Sequence, residues 1–87
     1  MAVDHKHLLI RAEVDNCPMR DNLGYVLDWM QSLITKIDMK LMQGPNISYV
    51  DQEGNRGITC MALIEPSHIV LHIWDEQKPG LFQLDVY

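Results

Sequence analysis

The 87 residues carry 12 acidic and seven basic side chains, a net charge of −5, and 47% of them are apolar. That length holds one domain with a modest core, the apolar share excludes a disordered chain, and the few Lys and Arg form no stripe that would suit nucleic acid. No apolar run reaches the roughly 18 residues of a membrane span, no charged-then-apolar leader is visible, and Cys17 and Cys60 stand alone without a CxxC or disulfide pattern, so the expected compartment is the cytoplasm.

In chain order, His5 to Val14 ("HKHLLIRAEV") is rich in strand formers and reads as a first strand. Asn16 or Cys17 is the expected N-cap of a helix, with Pro18 in its first position. From Met19 to about Met39, Leu23, Val26, Leu27, Met30, Leu33, Ile34 and Ile37 recur at helical spacing and form one broad apolar face. Gly44-Pro45 blocks further helix. Asn46 to Gln52 reads as a second strand, "EGNRG" as a turn, Ile58 to Ile64 as a third strand, and His68 to Trp74 as a fourth. "DEQKPG" turns the chain again and Leu81 to Tyr87 forms a fifth strand. One strand, one helix and a run of hairpin-linked strands predict an α+β two-layer sandwich, with one long helix on one face of a largely antiparallel five-stranded sheet.

One helix covers only one face of a sheet. Yet the third strand is apolar on both sides, with Ile58, Cys60, Ala62 and Ile64 alternating with Met61 and Leu63. The fourth sets Ile69, Leu71 and Ile73 against Val70 and Trp74. Strands apolar on both faces are normally buried on both, so the second face is expected to meet another subunit in a homodimer or higher homo-oligomer.

The corner Glu65-Pro66-Ser67-His68 joins the third and fourth strands, and His72 follows four residues after His68. Four residues of strand span roughly 13 Å, so His68 and His72 do not chelate one metal. His5 and His7 share a strand face, but no Cys or carboxylate cluster completes a site with them, and no metal is expected. The GxSxG elbow of a serine hydrolase is absent. Spacing alone leaves Ser67 a turn serine and His72 a half-buried strand histidine.

The stretch "GITCMALIEPSHIVLHIWDE" resembles the region around the self-cleavage site of the prokaryotic-type S-adenosylmethionine decarboxylases. In that family a strand with a hydroxyl residue leads to a Glu-Ser-His corner, and the next strand carries a His five residues after the Ser and then Thr-Trp-Pro-Glu. The matching residues are Thr59, Ser67, His68, His72, Trp74 and Glu76. "HLLIRAEVDNC" is similar to the family's first strand, with His7-Leu8 in its His-Leu position, and "LFQLDVY" to the strand after the corner. The resemblance implies a single S-adenosylmethionine decarboxylase-like domain over residues 1–87. Ser67 would attack the carbonyl of the preceding residue and become a pyruvoyl cofactor, the electron sink for decarboxylation. His72 would act as acid and base, and Thr59 would hold the oxyanion or the attacking hydroxyl. Glu76, with Trp74 and His68, would bind the substrate, the carboxylate accepting the ribose hydroxyls. The implied reaction is decarboxylation of S-adenosylmethionine, or of an amino acid such as arginine or ornithine, in polyamine synthesis.

The chain departs from the family pattern at three places. Pro66 stands where the family has Glu, with Glu65 one place earlier. The proton-donating Cys just beyond the fifth strand has no counterpart, since the chain ends at Tyr87 and neither Cys17 nor Cys60 matches it. The family's second helix and last strand are absent. Two alternatives stand beside the decarboxylase: a homologue that does not cleave itself and binds S-adenosylmethionine or a partner enzyme, and a pyruvoyl-independent enzyme that degrades S-adenosylmethionine.

Overall fold

The computed structural model describes residues 7–87; of the expected first strand, His5 and Lys6 lie outside the described residues. Five strands form one antiparallel sheet: β1 (Leu8–Val14), β2 (Lys40–Val50), β3 (Gly57–Glu65), β4 (His68–Trp74) and β5 (Gly80–Val86). Their spatial order is β1-β5-β4-β3-β2, which makes β4 the central strand. Among the described residues one α-helix, α1 (Leu23–Lys36), packs on one face, chiefly over β2 and β3. The α+β two-layer sandwich expected from the order of elements is the fold observed.

The strand pattern decides which face is covered. On β3, Ile58, Cys60, Ala62 and Ile64 are buried, and on β4, Ile69, Leu71 and Ile73. They meet Val26, Met30 and Ile34 of α1, spaced four residues apart along one helix stripe, and Leu84 of β5. Burying a side chain the size of Met30, which is wholly inaccessible to solvent, stabilises by about 1.5–3 kcal/mol. The alternate residues of β3 point to the other face, where none of the described residues forms a covering layer: Met61 and Leu63 remain 45% and 44% exposed.

The helix is shorter than its apolar periodicity predicts. Asp15 and Asn16 form a turn with Asn16 at φ 52°, and a 3-10 turn over Arg20–Asn22 leads into α1. Neither Asn16 nor Cys17 is the N-cap and Pro18 is not the first helical residue; the Asn22 side chain instead accepts from the Met19 N–H at 3.0 Å. At the other end Asp38 takes the left-handed conformation at φ 57°, the Ile34 carbonyl accepts from the Met39 N–H and the Thr35 carbonyl from the Asp38 N–H. This is a Schellman closure, with Asp where glycine is usual. The helix therefore stops before Met39, and β2 begins at Lys40, earlier than expected. Gly44-Pro45 sits inside β2, at a break in its pairing register with β3. Proline is tolerated there because β2 is an edge strand, so the missing N–H faces outward or falls at a bulge. β4 keeps the bounds expected from the sequence, β3 extends by one residue at each end, and β5 shifts by one residue.

Two glycines separate space from conformation. A Cβ at Gly57 would overlap the carbonyl oxygen of Ile73 and lie 2.9 Å from the Trp74 Cα, so β3 and β4 touch there backbone to backbone. A Cβ at Gly24, near the start of α1, meets nothing within 4 Å. Gly57→Ala is expected to destabilise by about 3 kcal/mol, since two paired backbones must part. Gly24→Ala is expected to stabilise by about 0.5–1 kcal/mol through backbone entropy. Urea unfolding of the two variants measures both, and opposite signs are the expected outcome.

Candidate active site

β4 carries most of the candidate residues. Its odd positions fill the core, so His68, Val70, His72 and Trp74 point to the uncovered face. Thr59 of β3 stands directly opposite His72. Its Oγ1 lies 3.1 Å from His72 Nδ1, a hydrogen bond in which the hydroxyl donates when Nδ1 is the unprotonated nitrogen. The other side of the imidazole stacks on Trp74, with ring centroids 5.4 Å apart and planes 23° from parallel. Thr59 and Trp74 thus fix the orientation of His72, and all three are half-buried. The arrangement suits a base or acid whose second ring nitrogen faces a reactant.

Ser67 is half-buried at the β3–β4 corner, and its carbonyl accepts from the Ile64 N–H at 2.9 Å. Its hydroxyl makes no hydrogen bond among the described residues. His68, next to it, pairs through its backbone with Tyr87 and stacks on the Tyr87 ring at 5.7 Å and 10°. His7 sits edge-on to the same ring and pairs with Asp85. His68 therefore fastens the corner to the end of β5. Five residues separate Ser67 from His72, roughly 16 Å of strand. Within one chain the serine does not meet the Thr59–His72 pair.

Glu76 lies beyond the opposite end of β4. Its carboxylate accepts from the Gly54 N–H at 2.9 and 3.0 Å and from Arg56 Nη1 at 3.0 Å, which ties the β2–β3 turn to the end of β4. Arg56 also donates to Asp51 at 2.8 Å, and Arg20 donates to the other Asp51 oxygen at 2.6 Å while lying 4.8 Å over the Tyr49 ring. The hydrogen bonds from Arg56 and Arg20 hold the Asp51 carboxyl below the usual carboxylate range. Tyr49 in turn donates to the buried Asp75 at 2.8 Å. This network braces the end of the sheet and leaves the Glu76 carboxylate at the edge of a shallow depression of about 330 Å³ that Trp74, Leu81 and Arg11 also line. A larger cavity, about 620 Å³, is on the helix side, between α1 and the β1–β5 edge, and shares no residue with the candidate site.

A comparison with protein-family models matches residues 6–87 to S-adenosylmethionine decarboxylase. The chain belongs to the S-adenosylmethionine decarboxylase family. No curated protein and no solved structure matched the chain. This S-adenosylmethionine decarboxylase-like protein brings Thr59, His72 and Trp74 together, and sets Ser67 and Glu76 at opposite ends of β4. Two residues escaped the sequence reading. Arg11 pairs in register with Gln83, Gln83 with His72, His72 with Thr59 and Thr59 with Ser48, so one polar row crosses the sheet on the uncovered face. The period-2 alternation of β1 and β5 shows which residues share a face, but the register that aligns them with His72 is a tertiary property. Among the described residues no group of three or more His, Cys, Asp or Glu is placed to hold a metal, and no helix is long and apolar enough to cross a membrane.

Neither cysteine is poised as a nucleophile. Burial pushes the Cys60 thiol up to about 11, and burial followed by the nearby Asp75 charge raises Cys17. Burial, then the hydrogen bond to Asp75, likewise raises the Tyr49 phenol. An acid whose folded pKa is raised loses its proton first in the unfolded chain. The contribution of Cys60 is therefore fully present below pH 9, the ordinary value of the thiol, and is lost as pH rises toward 11. Urea unfolding between pH 7 and 11 is expected to show that decline, and Cys60→Ala is expected to flatten it.

Proposed function

We propose that this family member is an S-adenosylmethionine decarboxylase that works as a homo-oligomer, most simply a dimer, in which Ser67 of one copy meets Thr59 and His72 of the other. The observation that carries the reading is the Thr59–His72 hydrogen bond on a sheet face that the described residues leave uncovered, a strand's length from Ser67. Leu9, Val50, Met61 and Leu63 on that face are all exposed large apolar side chains, and a second sheet packed about 10 Å away would bury them. Because β4 is the central strand, a two-fold axis running across the strands lays one β4 antiparallel on the other. The corner of one copy then lies over the His72–Glu76 half of its partner. That brings together what one chain keeps apart, and supports placing the substrate there too. The cytoplasm is the setting the two free cysteines suit.

The chemistry follows from the groups present. The Ser67 hydroxyl, free of hydrogen bonds within the described chain, attacks the Pro66 carbonyl carbon and the Pro66–Ser67 amide becomes an ester. Thr59 steadies the oxygen that gains charge, and His72 takes and returns the hydroxyl proton. Loss of the Ser67 α-proton then breaks the ester C–O bond. Residues 1–66 end in a carboxylate, and water releases ammonia from the residue left at position 67. The resulting pyruvoyl ketone supplies the electron sink for decarboxylation. In the finished enzyme Trp74 offers a flat apolar surface to a purine, Glu76 offers acceptors to hydroxyls, and His72 moves a proton at the reacting carbon.

A second reading, a homologue that binds S-adenosylmethionine or a partner enzyme without cleaving, draws on Pro66 in place of Glu and on Glu76 already engaged by Gly54 and Arg56. Intact-mass spectrometry separates the two. The first expects fragments of residues 1–66 and 67–87, the latter blocked at its N-terminus; an unchanged 87-residue mass after prolonged warming favours the second. His72→Ala is expected to slow cleavage about 10²–10⁴-fold with the fold intact by circular dichroism, and His68→Ala to matter much less. Light scattering is expected to give at least twice the 10.1 kDa chain mass; a monomer at micromolar concentration contradicts the shared site.

A further inference from the structure

We infer that Arg11, with Gln83 beside it, recognises the carboxylate of the substrate's amino-acid end. The inference rests on the reading that the uncovered face is the substrate site. Arg11, Gln83, His72, Thr59 and Ser48 stand opposite one another on consecutive strands, so their Cβ atoms follow each other at about 4.5–5.5 Å across that face. Arg11 is two strands from His72, roughly 10 Å between backbones. A long guanidinium side chain and an imidazole at that separation leave room between them for a carboxylate and its α-carbon. Arg11 also lines the depression that holds Trp74 and the Glu76 carboxylate.

The charges on the chain single out Arg11. Arg20 and Arg56 are both bound to Asp51, and Arg56 to Glu76 as well. Glu76 is engaged by Arg56 and Gly54, Asp85 by His7, and Lys40 by Glu65. Arg11 alone of the three arginines has no carboxylate partner among the described residues. A guanidinium stays charged at any working pH. Once a second copy covers the face, an unpaired cation there is costly unless an anion joins it. A planar carboxylate fits the guanidinium fork in bidentate fashion, and the Gln83 amide N–H can donate to the same group. Glu76 at the other end of the depression repels the carboxylate and attracts hydroxyl or cationic parts, so the row fixes the direction in which an amino-acid substrate lies.

The test compares ligands that differ only in the carboxylate. In a Ser67→Ala background, which stops turnover, calorimetry measures S-adenosylmethionine against decarboxylated S-adenosylmethionine. Loss of a charge-assisted pair predicts that S-adenosylmethionine binds about ten- to a hundredfold tighter, and that adding Arg11→Gln removes that preference by weakening S-adenosylmethionine alone. Arg11→Lys is expected to keep part of it. An unchanged ratio in Arg11→Gln overturns the inference and leaves the site reading standing. Equal weakening of both ligands also overturns it, and would mark Arg11 as a contact for the partner copy. Binding of neither ligand to the Ser67→Ala protein overturns the site reading itself, and this inference with it.

Discussion

A five-stranded sheet has two faces, and the described residues have one 14-residue helix to lay on them. Everything else in the structure depends on that shortage of cover. The helix takes the face on which Ile58, Cys60, Ala62, Ile64, Ile69, Leu71 and Ile73 converge, and gives the domain its core. The other face keeps Met61 and Leu63 in water together with the residues capable of chemistry, Thr59 and His72. On the proposed reading one covering partner would answer both features, removing the apolar surface from water and enclosing the oriented histidine.

The central place of β4 gives the arrangement its logic. A histidine on an edge strand would lie at the rim of any face-to-face assembly, whereas His72 has two strands on either side. Trp74 and Thr59 hold it on two sides without placing a charge next to it. The charged network of Arg20, Asp51, Arg56 and Glu76 is kept to the far end of the sheet, where it pins the β2–β3 turn. Exposed pairs of this kind add little stability, but they fix where the Glu76 carboxylate sits. The corner at Ser67 is fastened differently, by the aromatic stack of His68 on Tyr87 and the backbone pairing between the same two residues.

Much of this was legible in the sequence wherever one local rule decided the outcome. The alternation of His68 to Trp74 marked β4 with its true ends, because a turn with proline stands on either side. The apolar stripe of Val26, Met30 and Ile34 marked the helix and its buried side. Local rules failed where tertiary context overrode them. Pro18 suggested a helix start, but the chain first needs a turn at Asn16 to leave β1. Gly44-Pro45 suggested a strand boundary, but a bulged edge strand tolerates it. The candidate site was half legible: family resemblance named Thr59, Ser67, His72 and Glu76 as candidates, while the placing of Thr59 opposite His72, and the alignment of Arg11 and Gln83 with His72, came only with the strand register.

A mixing experiment addresses most directly whether two chains build one site. Ser67→Ala chains keep His72 but have no hydroxyl to attack with, and His72→Ala chains keep Ser67 but lack the proposed base. Unfolded together and refolded, they are expected to form mixed dimers in which the Ser67 of one faces the His72 of the other. Mass spectrometry is predicted to show residues 1–66 and 67–87 cut from the His72→Ala chain in the mixture, and from neither variant alone. A mixture as uncut as its components, beside wild-type protein that cleaves itself, would contradict the shared site.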